Sequence, residues 1–131
     1  MTVKLIDIPK IEDRRGNLSV IEHDCIPFEI KRVYYLYDVP SDSYRGGHSH
    51  KAQSEFLVAL SGSFEVVLDD GFKKHRIMLN KPHRGLLIPT KTWRELDNFS
   101  SGAVCLVLAS GVFEEEDYIR DYSEFKSSVS T

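Results

Sequence analysis

Short apolar stretches alternate with polar positions along almost the whole chain, and most of them have the length of a strand. Clusters of Gly, Pro, Asn, Asp and Ser separate these stretches at intervals of about ten residues. The run Asp69-Asp70-Gly71, between two apolar stretches, predicts a tight hairpin. The predicted strands are Asn17–Ile21, Lys31–Tyr37, Arg45–Lys51, Glu55–Leu60, Phe64–Leu68, Lys73–Leu79, Gly85–Ile88 and Ala103–Ala109. Many short strands with regular turns favour an all-β sandwich or barrel.

One segment near the C-terminus departs from this pattern. Within Glu114–Phe125, Tyr118, Tyr122 and Phe125 recur at helical spacing. The residues that open the segment are acidic, and a helix dipole favours negative charge in its first turn. The sequence therefore predicts a C-terminal helix that packs its aromatic side chains on the barrel or on a partner subunit.

Composition and charge narrow the class of protein. The chain has 131 residues, of which 41% are hydrophobic and 28% charged, so we expect a single globular domain over residues 1–131. A net charge of −3 disfavours nucleic acid as a partner but allows a local basic cluster that binds a small anion. The N-terminus lacks the apolar core of a signal peptide, and no stretch has the apolar length of a membrane span. We therefore expect a cytoplasmic protein with no membrane partner.

The segment Arg45–Lys51 contains the most informative chemistry of the chain. It places two imidazoles two residues apart, next to an arginine and two glycines. Because side chains alternate along a strand, His48 and His50 share one face. Such a pair serves either a metal site or an acid–base site, and the plainer alternative is two hydrogen-bonded barrel histidines without a catalytic role.

The spacing His-x-His-x4-Glu-x6-Gly that begins at His48 resembles the first signature of the cupin superfamily, in which both histidines and the glutamate bind a divalent metal. A further histidine ligand comes from a second signature, Pro-x-Gly-x-x-His-x-x-x-Asn. The corresponding stretch here is Pro89–Asn98, and Arg94 occupies the ligand position. A guanidinium has no free lone pair and repels a cation, so the sequence predicts acid–base chemistry without a metal. Glu55 then needs another partner if it is buried, such as Arg94 or a histidine.

Several segments together resemble the sugar-nucleotide 3,4-ketoisomerases of deoxysugar biosynthesis, a cupin family related to the dTDP-sugar 3,5-epimerases. The segments are Arg14–Leu18, Ile26–Tyr35, Arg45–Lys51, Gly85–Pro89 with Trp93, and Asp117–Tyr122. The resemblance implies a cupin-type double-stranded β-helix, a jelly-roll barrel, that acts as a homodimer without cofactor or metal. It implies isomerisation of dTDP-4-keto-6-deoxy-D-glucose to a 3-keto sugar, which an aminotransferase converts to 3-amino-3,6-dideoxyhexoses for surface glycans or antibiotics.

This chemistry suits the histidine pair. A ketone at C4 acidifies the hydrogen on C3, and a base that removes it and returns a proton to C4 leaves the ketone at C3 through an enediol or enediolate. Imidazole has the unperturbed pKa nearest to working pH. We assign His50 as the carbon base and His48 as its partner on the oxygen side. Tyr34 shares a strand face with Arg32, which favours an anion over an apolar core, so we place its phenol in the site; packing in the core is the alternative.

Binding of a sugar diphosphate needs guanidinium or ammonium groups. The candidate donors are Arg32, Arg45, Lys51 and Arg94. Arg45 is the foremost of these, because the glycines that follow it let the backbone approach a ligand closely. Trp93 either stacks on the base or closes the mouth of the barrel. Arg15 and Arg94 are candidates to flank the sugar and set the configuration at C4, but the sequence does not select the product.

Three other functions stay open on the sequence. A metal-dependent cupin enzyme would use the histidine pair with Glu55 as ligands. A non-catalytic module would only bind the sugar nucleotide. A 3,5-epimerase would exchange protons at C3 and C5 without moving the ketone.

Overall fold

In a computed structural model that describes residues 2–130, the chain forms two antiparallel sheets and one separate hairpin. Within those residues the strands are β1 (Lys4–Asp7), β2 (Lys10–Asp13), β3 (Gly16–Ser19), β4 (Arg32–Leu36), β5 (Arg45–His50), β6 (Glu55–Ser61), β7 (Phe64–Asp69), β8 (Lys74–Leu79), β9 (Arg84–Ile88), β10 (Trp93–Asp97), β11 (Val104–Ala109) and β12 (Tyr118–Ile119). Short 3-10 turns cover His23–Cys25 and Glu115–Asp117, and the helix α1 spans Tyr122–Val129.

The two five-stranded sheets pack on one another as a jelly-roll barrel. Their strand orders are β1-β9-β6-β11-β4 and β12-β5-β10-β7-β8. One apolar cluster joins them, with Leu57 and Val107 from the first sheet and Phe64, Val66 and Leu68 from the second. Each such buried side chain contributes about 1.5–3 kcal/mol. The arrangement confirms the predicted all-β barrel with a short C-terminal helix.

Strand β6 is buried on both faces, which explains its continuous apolar sequence. Leu57 and Ala59 face the interior of the barrel, whereas Phe56 and Val58 face a second cluster covered by the N-terminal segments. Gly85 on the neighbouring strand β9 leaves room for the Phe56 ring, since a Cβ there would overlap it. The two-sided burial fixes the position of Glu55, the first residue of β6.

The predicted helix over Glu114–Phe125 is wrong in its bounds. The helix α1 begins at Tyr122, and the Asp121 side chain caps it by accepting hydrogen bonds from two backbone N–H groups of the first turn. The acidic residues before it form only a short 3-10 turn, and β12 is extended. Strand β12 pairs with β5, which would otherwise leave its edge open, and this pairing outweighs the helical spacing of the aromatic residues.

The hairpin of β2 and β3 stands apart from both sheets. Its two strands pair only with each other in the described part of the chain, and every residue in them is exposed. Ile11 and Leu18 are 60% and 55% exposed. Within residues 2–130, α1 and the other helical turns are too short and too polar to cross a membrane.

Candidate active site

A bulge in β5 determines which side chains share the candidate site. Arg94 on β10 pairs with His48 on β5, and Leu96 pairs with Arg45. Two residues of β10 therefore span three residues of β5. The extra residue is accommodated at Gly46, whose φ of +87° lies in the left-handed region that glycine adopts without strain. Regular alternation would place Arg45 and His48 on opposite faces. The bulge instead brings both residues to the wall of one cavity.

This cavity, of about 550 Å³, lies between the two sheets. Its volume is in the range of sites for small organic ligands. The polar lining residues are Arg32, Tyr34, Arg45, His48, Glu55, Arg94, Tyr118 and Arg120, and the apolar ones include Leu36, Leu57, Leu96, Val107 and Phe113. An apolar cavity with converging cationic groups suits a ligand that carries both a ring and a negative charge.

The Glu55 carboxylate is the centre of the polar groups. Its Oε2 accepts a hydrogen bond of 2.7 Å from the Tyr34 hydroxyl, and its Oε1 accepts one of 2.5 Å from Arg94 Nη1. Nε2 of His50 lies 3.5 Å from Oε2. Burial alone would raise the pKa of Glu55, but the contact with His50 and the charge of Arg94 lower it to about 2. Glu55 is therefore ionised, and it accepts hydrogen bonds from Tyr34 and Arg94.

Arg94 occupies the position of the second-signature histidine and is buried against Glu55. Its Nε and Nη2 donate to the Thr92 carbonyl at 3.3 and 3.2 Å. Ligand atoms of His48, His50 and Glu55 lie within 4.8 Å of one another, a spacing that a metal ion could span. However, the Arg94 guanidinium already binds one carboxylate oxygen and would repel a divalent cation. These residues do not fit a divalent metal.

The two histidines differ in their surroundings. His48 lies on the cavity wall, and burial together with the charge of Arg94 lowers its pKa to about 3, so its imidazole is neutral near pH 7. His50 lies behind it, fully buried, with Nδ1 2.8 Å from Asp117 Oδ2 and Nε2 facing Glu55. The rings are perpendicular, with centroids 4.8 Å apart. His48 has access to a ligand, and His50 contacts carboxylates at both nitrogens.

Further cations border the same cavity. The Arg120 guanidinium lies over the Tyr118 ring, 4.2 Å from its centroid, and donates to the Glu115 carboxylate at 2.6 Å. Arg32 donates to the Tyr118 hydroxyl at 3.3 Å. Arg45 lines the cavity with its side chain exposed. Together the guanidinium groups of Arg32, Arg45 and Arg120 give this region a positive potential.

Sequence reasoning missed the contributions of Asp117, Tyr118 and Arg120. All three lie in a segment that carries the family resemblance, but we assigned that segment to a helix. The signal that could have located them is the cap residue Asp121. The acidic and aromatic run Asp117-Tyr118 precedes this cap and therefore lies before the helix.

Three residues predicted to bind substrate lie away from this cavity. Arg15 is exposed in the separate hairpin and pairs with Asp13 at 2.9 Å. Lys51 follows the end of β5 and is exposed. Trp93 lies on the opposite face of β10 from Arg94, where it is buried against Phe125 of α1. Alternation along β10 explains the last result, because neighbouring residues cannot both face the cavity.

Comparison with known proteins identifies the family. The model of the FdtA family, described as WxcM-like, C-terminal, matches residues 1–130. The chain belongs to the FdtA family. This FdtA-family chain is 45% identical over 130 residues to the TDP-4-oxo-6-deoxy-alpha-D-glucose-3,4-oxoisomerase of Aneurinibacillus thermoaerophilus, covering 98% of this chain and 94% of that protein. The predicted membership of a sugar-nucleotide 3,4-ketoisomerase family, and with it the prediction of an enzyme, is confirmed.

Solved structures of FdtA-family relatives have the same fold as this chain. A 3,4-ketoisomerase from Helicobacter canadensis is 47% identical, with a TM-score of 0.95 over 98% of both chains. QdtA, a sugar 3,4-ketoisomerase from Thermoanaerobacterium thermosaccharolyticum in complex with TDP, is 43% identical, with a TM-score of 0.95 over 97% of this chain and 93% of that one. A variant of QdtA has been crystallised in complex with TDP-4-keto-6-deoxyglucose.

Proposed function

We propose that this FdtA-family chain converts TDP-4-keto-6-deoxyglucose to the corresponding 3-keto sugar by proton transfer between side chains and sugar, without a metal. The observation that carries the proposal is the neutral imidazole of His48 on a cavity wall that also presents Tyr34 and several guanidinium groups. The relatives named above as 3,4-ketoisomerases support the choice of reaction. A ketone at C3 is what an aminotransferase needs to make a 3-amino-3,6-dideoxyhexose, and we propose this fate for the product.

In this proposal His48 is the carbon base. Among the described residues its Nε2 is buried without a hydrogen-bond partner, so no protein group competes with a substrate for this atom. It removes the C3 hydrogen as a proton, and the same imidazolium returns a proton to C4. Glu55 Oε1, 4.0 Å from Nε2, stabilises the imidazolium while it exists.

The assignment of the carbon base to His48 reverses the one we made from sequence. His50 lies one layer deeper in the barrel, and its two nitrogens face Asp117 and Glu55 rather than the cavity. A general base must come within hydrogen-bond reach of the proton that it abstracts. His48 satisfies this requirement because it lines the cavity.

Tyr34 serves the oxygen side of the reaction. Burial and the neighbouring Glu55 carboxylate raise the pKa of the phenol far above its usual value, so Tyr34 stays protonated and donates to Glu55. The phenol oxygen keeps lone pairs that can accept a hydrogen bond from a sugar hydroxyl at the cavity wall. We place the C3 hydroxyl of the substrate there.

The diphosphate is assigned to the guanidinium groups of Arg32, Arg45 and Arg120. Guanidinium binds phosphate oxygens through paired hydrogen bonds, and its charge is permanent. Arg94 is excluded from this role because its side chain is only 2% exposed and is paired with Glu55.

The test of the reaction is incubation of the purified protein with TDP-4-keto-6-deoxyglucose in deuterated buffer, followed by NMR of the product. The expected product has its carbonyl carbon at C3, and its configuration at C4 is read from the same spectrum. Dialysis against a chelator is expected to leave the rate unchanged.

Three results would contradict the proposal. Deuterium at C3 and C5 with the ketone still at C4 would show an epimerase. Saturable binding without turnover would show a binding module. Activity lost to the chelator and restored by a divalent metal would show a metal enzyme.

We also infer that the protein is a homodimer. The separate hairpin exposes Ile11 and Leu18, and the edge strand β4 exposes Val33 and Tyr35, the latter to 59%. Tyr35 and Tyr37 form an aromatic pair with centroids 5.8 Å apart on this outer face. A second copy of the chain covers such apolar surface at low cost, because both subunits contribute the same patch.

Sedimentation of the wild-type protein is expected to give twice the chain mass of 15.0 kDa. Tyr35→Arg is expected to shift the protein toward monomer, because it places a charge on the exposed apolar face of β4. Phe72→Arg is the matched control, since Phe72 is 76% exposed in the turn between β7 and β8 and away from this surface. A monomeric wild-type protein, or dissociation by both substitutions alike, would contradict the assignment.

A further inference from the structure

Asp117 is the buried carboxylate of the site that does not line the cavity. Its Oδ2 lies 2.8 Å from Nδ1 of His50, and its Oδ1 accepts a hydrogen bond of 2.7 Å from the backbone N–H of Ala52. Its backbone carbonyl accepts a hydrogen bond of 2.9 Å from the N–H of Lys51. Asp117 is therefore fixed by three successive residues at the end of β5, two of them through its carboxylate and one through its backbone carbonyl.

The position of Asp117 decides which nitrogen of His50 carries the proton. An ionised carboxylate only accepts hydrogen bonds, and one of its oxygens is already used by Ala52. The contact at Oδ2 therefore requires a proton on Nδ1 of His50. Nε2 is left as the atom that gains or loses a proton, and it faces Glu55 Oε2 at 3.5 Å. Among the described residues this buried nitrogen has no hydrogen-bond partner.

These groups form a continuous buried path from the cavity. Tyr34 presents its phenol oxygen at the wall and donates its proton to Glu55 Oε2. The same Oε2 faces Nε2 of His50. Neither intermediate group holds a changed charge readily, because the pKa of Tyr34 is raised and Arg94, bound to Oε1, keeps Glu55 ionised. A proton that enters at Tyr34 is therefore driven on to the imidazole in one concerted shift.

We propose that Asp117 is a positioning residue that makes Nε2 of His50 the end of a proton relay through Tyr34 and Glu55. The inference rests on the proposed ketone migration. As the C3 hydroxyl becomes a carbonyl, its proton passes to the phenol oxygen, the phenol proton to Oε2, and the Oε2 proton to Nε2. The reverse sequence delivers a proton to the oxygen on C4, so no proton is gained or lost overall. Asp117 also stabilises the imidazolium that forms between the two carboxylates.

The substitution Asp117→Asn reverses the tautomer while keeping the size of the side chain. The amide oxygen keeps the bond from Ala52, so the amide N–H₂ must donate to Nδ1 of His50, and the ring proton moves to Nε2. The relay is then blocked at its acceptor. We expect kcat to fall about 10²-fold or more, the contribution of a general acid–base group, with KM near the wild-type value.

Asp69→Asn is the matched control. Asp69 is also a buried aspartate, with one oxygen bound to the N–H of Gly71 and the other to the Tyr122 hydroxyl, but it lies away from the histidines. We expect its kcat to equal that of the wild type. Equal losses of kcat in both variants would show that the loss comes from reduced stability. A wild-type kcat in Asp117→Asn would exclude the relay. Either result would overturn the proposal.

The tautomer itself is read on the resting protein by long-range ¹H–¹⁵N NMR of the imidazoles. We expect Nδ1 of His50 to be protonated in the wild type and Nε2 in Asp117→Asn. An unprotonated Nδ1 or a protonated Nε2 in the wild type would overturn the proposal even if the variant fails to fold. Because this measurement needs no substrate, a protonated Nδ1 in a protein that does not move the ketone would count against the proposed function alone.

Discussion

Replacing His48 with asparagine is expected to lower kcat by about 10²–10⁴-fold, the range that a general acid–base group contributes. Asparagine fills much of the space of the imidazole but has no group that can take a proton from carbon. The fold is expected to survive, because in the described chain Nε2 of His48 makes no hydrogen bond that would be lost. The rate is followed by NMR of the product, and thermal unfolding checks stability.

His75→Asn is the matched control for this prediction, since His75 is exposed on β8. It is expected to keep the wild-type rate. If His48→Asn retained full activity while His50→Asn lost it, the carbon base would be His50, as we assigned it from sequence.

Replacing Arg94 with methionine is expected to reduce the free energy of unfolding by about 3–5 kcal/mol, the usual loss when one member of a buried ion pair is removed. Arg94 and Glu55 both have side chains only 2% exposed, so the carboxylate would be left without its cation in the barrel. Methionine fills a similar volume, which limits the contribution of a cavity. Chemical denaturation with a constant slope measures the change.

Two further variants test the cause of that loss. The double variant Arg94→Met with Glu55→Gln is expected to recover much of the stability, because no buried charge remains. Arg84→Met removes the exposed partner of Asp7, 2.8 Å away, and is expected to change stability far less, because solvent screens the pair. A loss for Arg94→Met no larger than that for Arg84→Met would show that the buried pair contributes little.

Most of the barrel could be predicted from sequence because its strands alternate or form apolar runs between clear turns. Strand β10 could not, since Arg94 lies at an inward position and breaks the apolar pattern. Its burial depends on Glu55, which is 39 residues away in the chain. The C-terminal helix was placed too early because aromatic spacing and acidic residues favour a helix locally, whereas pairing with β5 is a tertiary effect.

The part of the candidate site whose residues lie close together in the sequence could be predicted. His48, His50 and Glu55 lie close in sequence and come together, as their positions on neighbouring segments suggested. The bulge at Gly46 was not predictable, because two adjacent glycines do not show which one takes the positive φ. Lys91 likewise adopts a φ of +61°, in the left-handed region that glycine adopts without strain.

Strand β12 also determines how the chain behaves toward other proteins. Without its two residues, β5 would be the outermost strand of its sheet, with unpaired backbone groups at Ser49 and His50. Open edges of this kind recruit strands from other molecules and lead to aggregation. By pairing with Ser49 and His50, β12 shields the edge of β5 beside the histidines. Solubility and activity therefore depend on the same short segment, and a change that detaches it would impair both.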